Sequence, residues 1–275
     1  MQIKKFILLF ILFLLGRHLC FPSSPRYLEL ADSADFFIAR ENWSKAEDKI
    51  IEAMRLEPAN FSNSLLLANL GLIQSNQGKY TKAIETLSLG LQMAPSSTVL
   101  LNNRAHTFLL MDSIDPAIRD LERSLDINAK QEWPLQTRAF IYLQEGDIEN
   151  SKKLFLKVKN INPENSVMIS ALATIADKEQ NFDEAISLYK RALEIEPDDN
   201  ETREAYIFLL IKTNDYPSAR VEIREALKLN PEHAMFYLLR GYLHRLNYRL
   251  DEAQADKKIA IAKGLDANYA STFIP

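Results

Sequence analysis

Apolar and polar residues follow one another along this chain in runs of helical period, and the runs themselves return every 34 positions. Most windows close on the same cue: Leu56-Glu57-Pro58, Met93-Ala94-Pro95, Ile161-Asn162-Pro163, Ile195-Glu196-Pro197 and Leu229-Asn230-Pro231. Two further closing sites have lost the proline and hold Ala129 and Leu265. Twelve places before each site stands a small residue: Ala46, Ala83, Ala117, Ser151, Ala185, Ala219 and Ala253. A second small site follows seven residues later, at Ala53, Gly90, Ser124, Ala192, Ala226 and Ala260, with Val158 the bulky exception. Between the two sites lies a large apolar residue, Ile50, Leu87, Leu121, Phe155, Tyr189 or Ile223, and in the last window Lys257. Spacings of three, four and seven place all three sites on one face of a helix.

Upstream, each window carries another amphipathic run with its own small site, at Ala34, Gly71, Ala105, Ala139, Ala173 and Gly241, Ile207 being the exception. Turn chemistry lies between the two runs, in Asn76-Gln77-Gly78-Lys79-Tyr80, Gln144-Glu145-Gly146-Asp147-Ile148, Gln180-Asn181-Phe182-Asp183 and Thr213-Asn214-Asp215-Tyr216-Pro217, and Trp43 occupies the matching turn of the first window. Each window therefore predicts helix, short turn, helix and a stop at proline, which cannot continue a helix and restricts the residue before it. Seven windows follow: 27–60, 64–97, 98–131, 132–165, 166–199, 200–233 and 234–267, with Phe61-Ser62-Asn63 inserted after the first. Residues 268–275 form a short, partly apolar tail, expected either to fold against the last window or to stay disordered. Only seven glycines and no strand-like alternation point to one elongated helical array.

Small residues that let paired helices approach, with large apolar residues filling the gaps, resemble the tetratricopeptide repeat. Leu67-x2-Leu70-Gly71 matches the start of its signature, with Gln74 where the tyrosine would stand, and Ala185-x3-Tyr189-x2-Ala192 followed by Pro197 matches the rest. The resemblance implies an all-α fold, a right-handed α-α superhelical solenoid of seven helix-turn-helix repeats. It also implies a concave surface lined by the first helix of each repeat, with ligand-facing residues one turn apart. In this sequence those are Asn102 and His106, Gln136 and Phe140, Ser170 and Thr174, Glu204 and Phe208, continued toward the ends by Ala31 and Asp35, Ala68 and Leu72, Leu238 and Tyr242. The central positions mix amides with an aromatic ring, a composition able to hydrogen-bond an extended backbone while holding an apolar side chain. Some relatives grip a C-terminal carboxylate with lysine, asparagine and arginine; the matching places here hold Ala68, Leu72, Asn103, Trp133 and Thr137, so only Asn103 fits.

The formal charge of −4 is spread over interleaved signs, a poor match to the phosphate backbone, so nucleic acid is not an expected partner. The first 26 residues differ in kind. Lys4-Lys5 precede an apolar run from Phe6 to Gly16, broken by Arg17, which reads as a secretory signal or an N-terminal membrane anchor. Cys20, the single cysteine, stands where a bacterial lipoprotein would carry its acylated residue, although Arg17-His18-Leu19 departs from the usual small neighbours. Cleavage, acylation at Cys20 and retention are the three expected fates.

No metal, phosphate-loop or nucleophile motif occurs, and His18, His106, His233 and His244 are scattered, so no catalytic residue, cofactor or metal is expected. The leading expectation is an exported, membrane-associated scaffold that binds a peptide or protein in its groove during assembly of an envelope complex. The alternative is a regulatory or targeting subunit of an envelope enzyme, such as a peptidoglycan or polysaccharide synthase, with the chemistry on another chain.

Overall fold

A computed structural model describes residues 23–275; the apolar N-terminal run and Cys20 lie outside the described residues. Among the described residues the protein is all-helical. The helices are α1 (Pro25–Ile38), α2 (Trp43–Leu56), α3 (Asn63–Asn76), α4 (Tyr80–Met93), α5 (Thr98–Leu110), α6 (Ile114–Ile127), α7 (Glu132–Glu145) and α8 (Ile148–Ile161). They continue with α9 (Ser166–Lys178), α10 (Phe182–Ile195), α11 (Asn200–Lys212), α12 (Tyr216–Leu229), α13 (Ala234–Leu246), α14 (Leu250–Ala262) and α15 (Ala267–Phe273). The chain divides into two compact units between Pro134 and Leu135, within the first turn of α7. In the first unit α1 packs on α2, α3 on α4 and α5 on α6; in the second, α9 packs on α10, α11 on α12 and α13 on α14. None of the described helices is long and apolar enough to cross a membrane.

The helix ends follow from local chemistry. Ser97, Asn165 and Asp199 cap α5, α9 and α11 by accepting the backbone N–H of Leu100, Met168 and Thr202. Five of the second helices end two residues before the closing proline, and the residue between leaves helical conformation: Glu57, before Pro58, has φ −132° and ψ 73°. Asn128 takes the same kind of conformation, φ −142° and ψ 103°, without a following proline, so the packed repeat holds the exit where the sequence has dropped the stop. Each turn between paired helices contains one left-handed residue: Glu41, Gly78, Asp112, Gly146, Gln180, Asn214 and Tyr248, with φ between 54° and 82°. From Gly78 onward they recur at the 34-residue period, and only two of the seven are glycine.

The small sites read from the sequence form the core. Ala46, Ala83, Ala117, Ser151, Ala185, Ala219 and Ala253 are all buried, as are the large apolar residues between Ile50 and Ile223 at the intervening sites. A Cβ at Gly71 would stand 2.4 Å from Leu87 Cγ, so the approach of α3 to α4 depends on the missing side chain. The inserted Asn63 is also buried. Its amide donates to the Glu57 carbonyl at 2.8 Å and its Oδ1 accepts from the Tyr27 hydroxyl at 3.0 Å, tying the insertion to both ends of the first repeat.

The tail is folded. α15 carries Ala270 inward, and Ile274 packs where a Cβ at Gly241 would lie 2.7 Å from its Cδ1. Lys257, the lysine at an otherwise apolar site, donates from Nζ to the Ile274 carbonyl at 2.6 Å. Gln254 and Arg245 donate to the carbonyls of Pro275 and Phe273 at 2.8 and 2.5 Å. The polar character of the last long helix thus serves the tail rather than open solvent.

Candidate functional site

In the first unit, Asn102, Asn103 and His106 on α5 and Trp133 at the start of α7 line a cleft of about 330 Å³. One helical turn separates Asn102 from His106, which puts both on one face. Asn102 Nδ2 donates to Gln131 Oε1 at 3.0 Å, and Gln131 is itself fixed by donating to the carbonyls of Ser124 and Asn128, each at 2.8 Å. The other end of the Asn102 amide, Oδ1, is buried and has no hydrogen-bond partner among the described residues. An unmatched acceptor of this kind is costly unless something supplies a donor.

The His106 ring meets Trp133 edge to face, 6.0 Å between centroids at 71°. Burial holds His106 below the ordinary imidazole range, so at neutral pH the ring is uncharged, with one nitrogen donating and one accepting. Trp133 remains 38% exposed, an unusual solvent contact for an indole. Together the cleft offers an unused acceptor, a neutral imidazole and an apolar ring, the requirements for a backbone N–H beside an apolar side chain.

The expected groove residues from Gln136 onward lie in the second unit and are differently employed. Phe140 stacks edge to face on buried Phe155 at 5.1 Å with its other edge open, and the buried Gln136 Nε2 has no partner among the described residues. Ser170 accepts from the Thr202 hydroxyl at 2.7 Å, and the Thr174 and Tyr189 hydroxyls bond at 3.0 Å. Glu204 bonds His233, and Phe208 packs edge to face on Phe273 of the tail at 5.9 Å. Ser170, Thr174 and Glu204 therefore spend polar groups on neighbouring helices. Ala68 and Leu238, expected on the groove surface, are core residues without solvent exposure: Ala68 packs among Leu87, Leu91, Leu100 and Leu101 of α4 and α5, and Leu238 among Ala253 and Ala260 of α14 and Ala270 and Ile274 of the tail.

Asn103, the lone match to the carboxylate-gripping pattern, donates Nδ2 to the Ala68 carbonyl at 3.2 Å and bridges two repeats. Sequence reasoning missed the part played by Gln131 in orienting Asn102. It also missed Arg104, whose guanidinium makes two 2.7 Å bonds to buried Asp120; the 16-residue spacing returns in Arg240 and Asp256, a signal present in the chain.

Family models of the tetratricopeptide repeat match residues 178–243 in one form and 66–97 and 135–165 in another. A tetratricopeptide repeat protein from Parabacteroides merdae is similar over 91% of this chain and 98% of its own, at 25% identity and a TM-score of 0.69. Pseudomonas aeruginosa pilF matches at 18% identity and a TM-score of 0.62, over 70% of this chain and 88% of its own. YrrB, described as a TPR protein with an unusual peptide-binding site, matches at 17% identity and 0.53, over 69% of this chain and 97% of its own.

Proposed function

This chain is a tetratricopeptide-repeat protein, and on that premise we propose that it is a non-enzymatic scaffold, exported and membrane-associated, that takes a peptide or protein partner during assembly of an envelope complex. Repeat proteins of this family bind peptides or proteins on surfaces formed by successive repeats. One observation carries the assignment of the site: the buried, unmatched Oδ1 of Asn102 beside the exposed indole of Trp133. An extended segment entering there would give its N–H to Asn102, lay an apolar side chain on Trp133 and find His106 uncharged at neutral pH. The description of YrrB as having a peptide-binding site supports a peptide as the ligand. The charged, apolar N-terminal run supports export and membrane attachment.

Displaying random peptides against the full chain tests the site. Selected peptides should lose about 2 kcal/mol of affinity or more on Trp133→Ala, and a comparable amount on Asn102→Ala. Undiminished binding by both variants would overturn the assignment. Mass spectrometry of the mature N-terminus tests the export reading: a processed or acylated terminus, or an intact chain recovered with membranes, agrees with it, and an intact chain recovered in the cytosol does not.

A further inference from the structure

A second cleft, of about 560 Å³, opens in the second unit between α12, α13 and the turn after α13. Its walls are aliphatic, from Ile223, Leu227 and Leu243, and its rim is basic, from Arg220, Arg224 and Arg249, with Arg240 and His244 also lining it. The volume lies within the roughly 300–1,000 Å³ typical of ligand sites.

The cations are unequally neutralised. Arg240 is bound by Asp256 through two bonds, and Arg249 by Glu252. Arg220 has only the neutral Asn247 Oδ1, at 3.2 Å. Arg224 has no hydrogen bond or ion pair among the described residues. Arg220 and Arg224 stand four residues apart on α12, an arrangement in which like charges repel. Burial keeps His244 below the ordinary imidazole range, leaving it uncharged at neutral pH and able to donate or accept. The cleft thus holds two guanidiniums lacking an acidic partner over an aliphatic floor, and guanidinium pairs carboxylate in bidentate geometry.

We propose that this cleft binds an acidic peptide segment of a partner protein, its carboxylate held by Arg220 and Arg224 and an adjacent aliphatic side chain seated on Ile223, Leu227 and Leu243. The carboxylate belongs either to a glutamate or aspartate within the segment or to its C-terminus. The site is separate from the Asn102 and Trp133 cleft and does not rest on the peptide reading made there.

Fluorescent peptides of alternating leucine and glutamate, blocked at the N-terminus, test it by anisotropy against the full chain. Binding by a C-terminally amidated form identifies side-chain carboxylates as the ligand; binding only by the free-acid form identifies the C-terminus. The double variant Arg220→Ala, Arg224→Ala should weaken binding at least tenfold, and added salt should weaken it progressively. The double variant's circular dichroism melt establishes that it folds. Equal binding of a leucine and glutamine peptide, no binding of either glutamate peptide, or full affinity in a folded double variant would each overturn the proposal.

Discussion

Arg104 clasps Asp120 through two hydrogen bonds of 2.7 Å, joining the first helix of its repeat to the second. The same pairing recurs four repeat periods later between Arg240 and Asp256. Both acids are 4% exposed, so neither belongs to the solvated faces that account for most charges of this chain. Planar bidentate geometry satisfies a buried carboxylate that would otherwise be strongly destabilising. Asp120→Ala should lower the unfolding free energy by about 2–4 kcal/mol, because it strands a guanidinium at a helix interface. Loss of the exposed Glu164 partner of Arg191 should change it by less than about 1 kcal/mol. Urea unfolding of the two variants checks the contrast, and equal effects would count against the interfacial role of Asp120.

His106 gives a pH signature. Its folded-state affinity for a proton is lowered by burial, so the unfolded chain binds that proton more readily. The linked stability is fully present above the ordinary imidazole value of about 6.5 and is lost as pH falls from there through the lowered folded value. His106→Gln should flatten the decline in melting temperature between about pH 6.5 and 5, before most carboxylates titrate. An unchanged pH profile would show that His106 is not the group responsible.

Left-handed turn residues without glycine carry strain of about 1 kcal/mol or more. Gln180, at φ 62°, should therefore accept glycine with a gain of about 0.5–1 kcal/mol, offset in part by the freer unfolded chain. Gly146, at φ 82°, has nothing within 4 Å of where a Cβ would stand, so Gly146→Ala should lose about 1 kcal/mol through backbone strain alone. Chemical denaturation of the two single variants should move in opposite directions.

The tail makes its own prediction. Ile274→Ala removes the side chain that fills the space at Gly241 and should cost about 2–4 kcal/mol. Hydrogen exchange should quicken in α13 and α14 before it does in α9 and α10, since each repeat is steadied chiefly by its neighbours. Uniform quickening throughout the second unit would contradict that local role.

The sequence is most informative where the backbone repeats. Ala185, Tyr189 and Ala192 can be placed in the core from spacing alone, because a helix face has a fixed period and burial selects size along it. Trp43, Tyr80, Ile148, Phe182 and Tyr216, which the spacing puts in the turns, open the second helices instead, a shift of one position at a boundary. Tertiary partners are much less legible. Lys257 stands in the sequence as the exception at an apolar site, and its partner, the Ile274 carbonyl, cannot be read from the spacing; Ser170 and Glu204 read as ligand-facing, yet Thr202 and His233 occupy them. Ala68 and Leu238 fail as groove residues because a periodic register locates a face but not how far the next helix covers it.

The turns between paired helices have a wider consequence. Glutamate, glycine, aspartate, glutamine, asparagine and tyrosine all adopt the left-handed conformation at one repeat position, and Tyr248 does so at 92% exposure, without burial to compel it. Conformation there is dictated by the helices on either side, so residue identity is left to drift at the expense of only a small increment in stability. Glycine introduced at the five other turns, one after another, would turn those positions into a graded dial: well-separated sites combine nearly additively, and the array could be tuned rung by rung without touching its core or its binding surfaces.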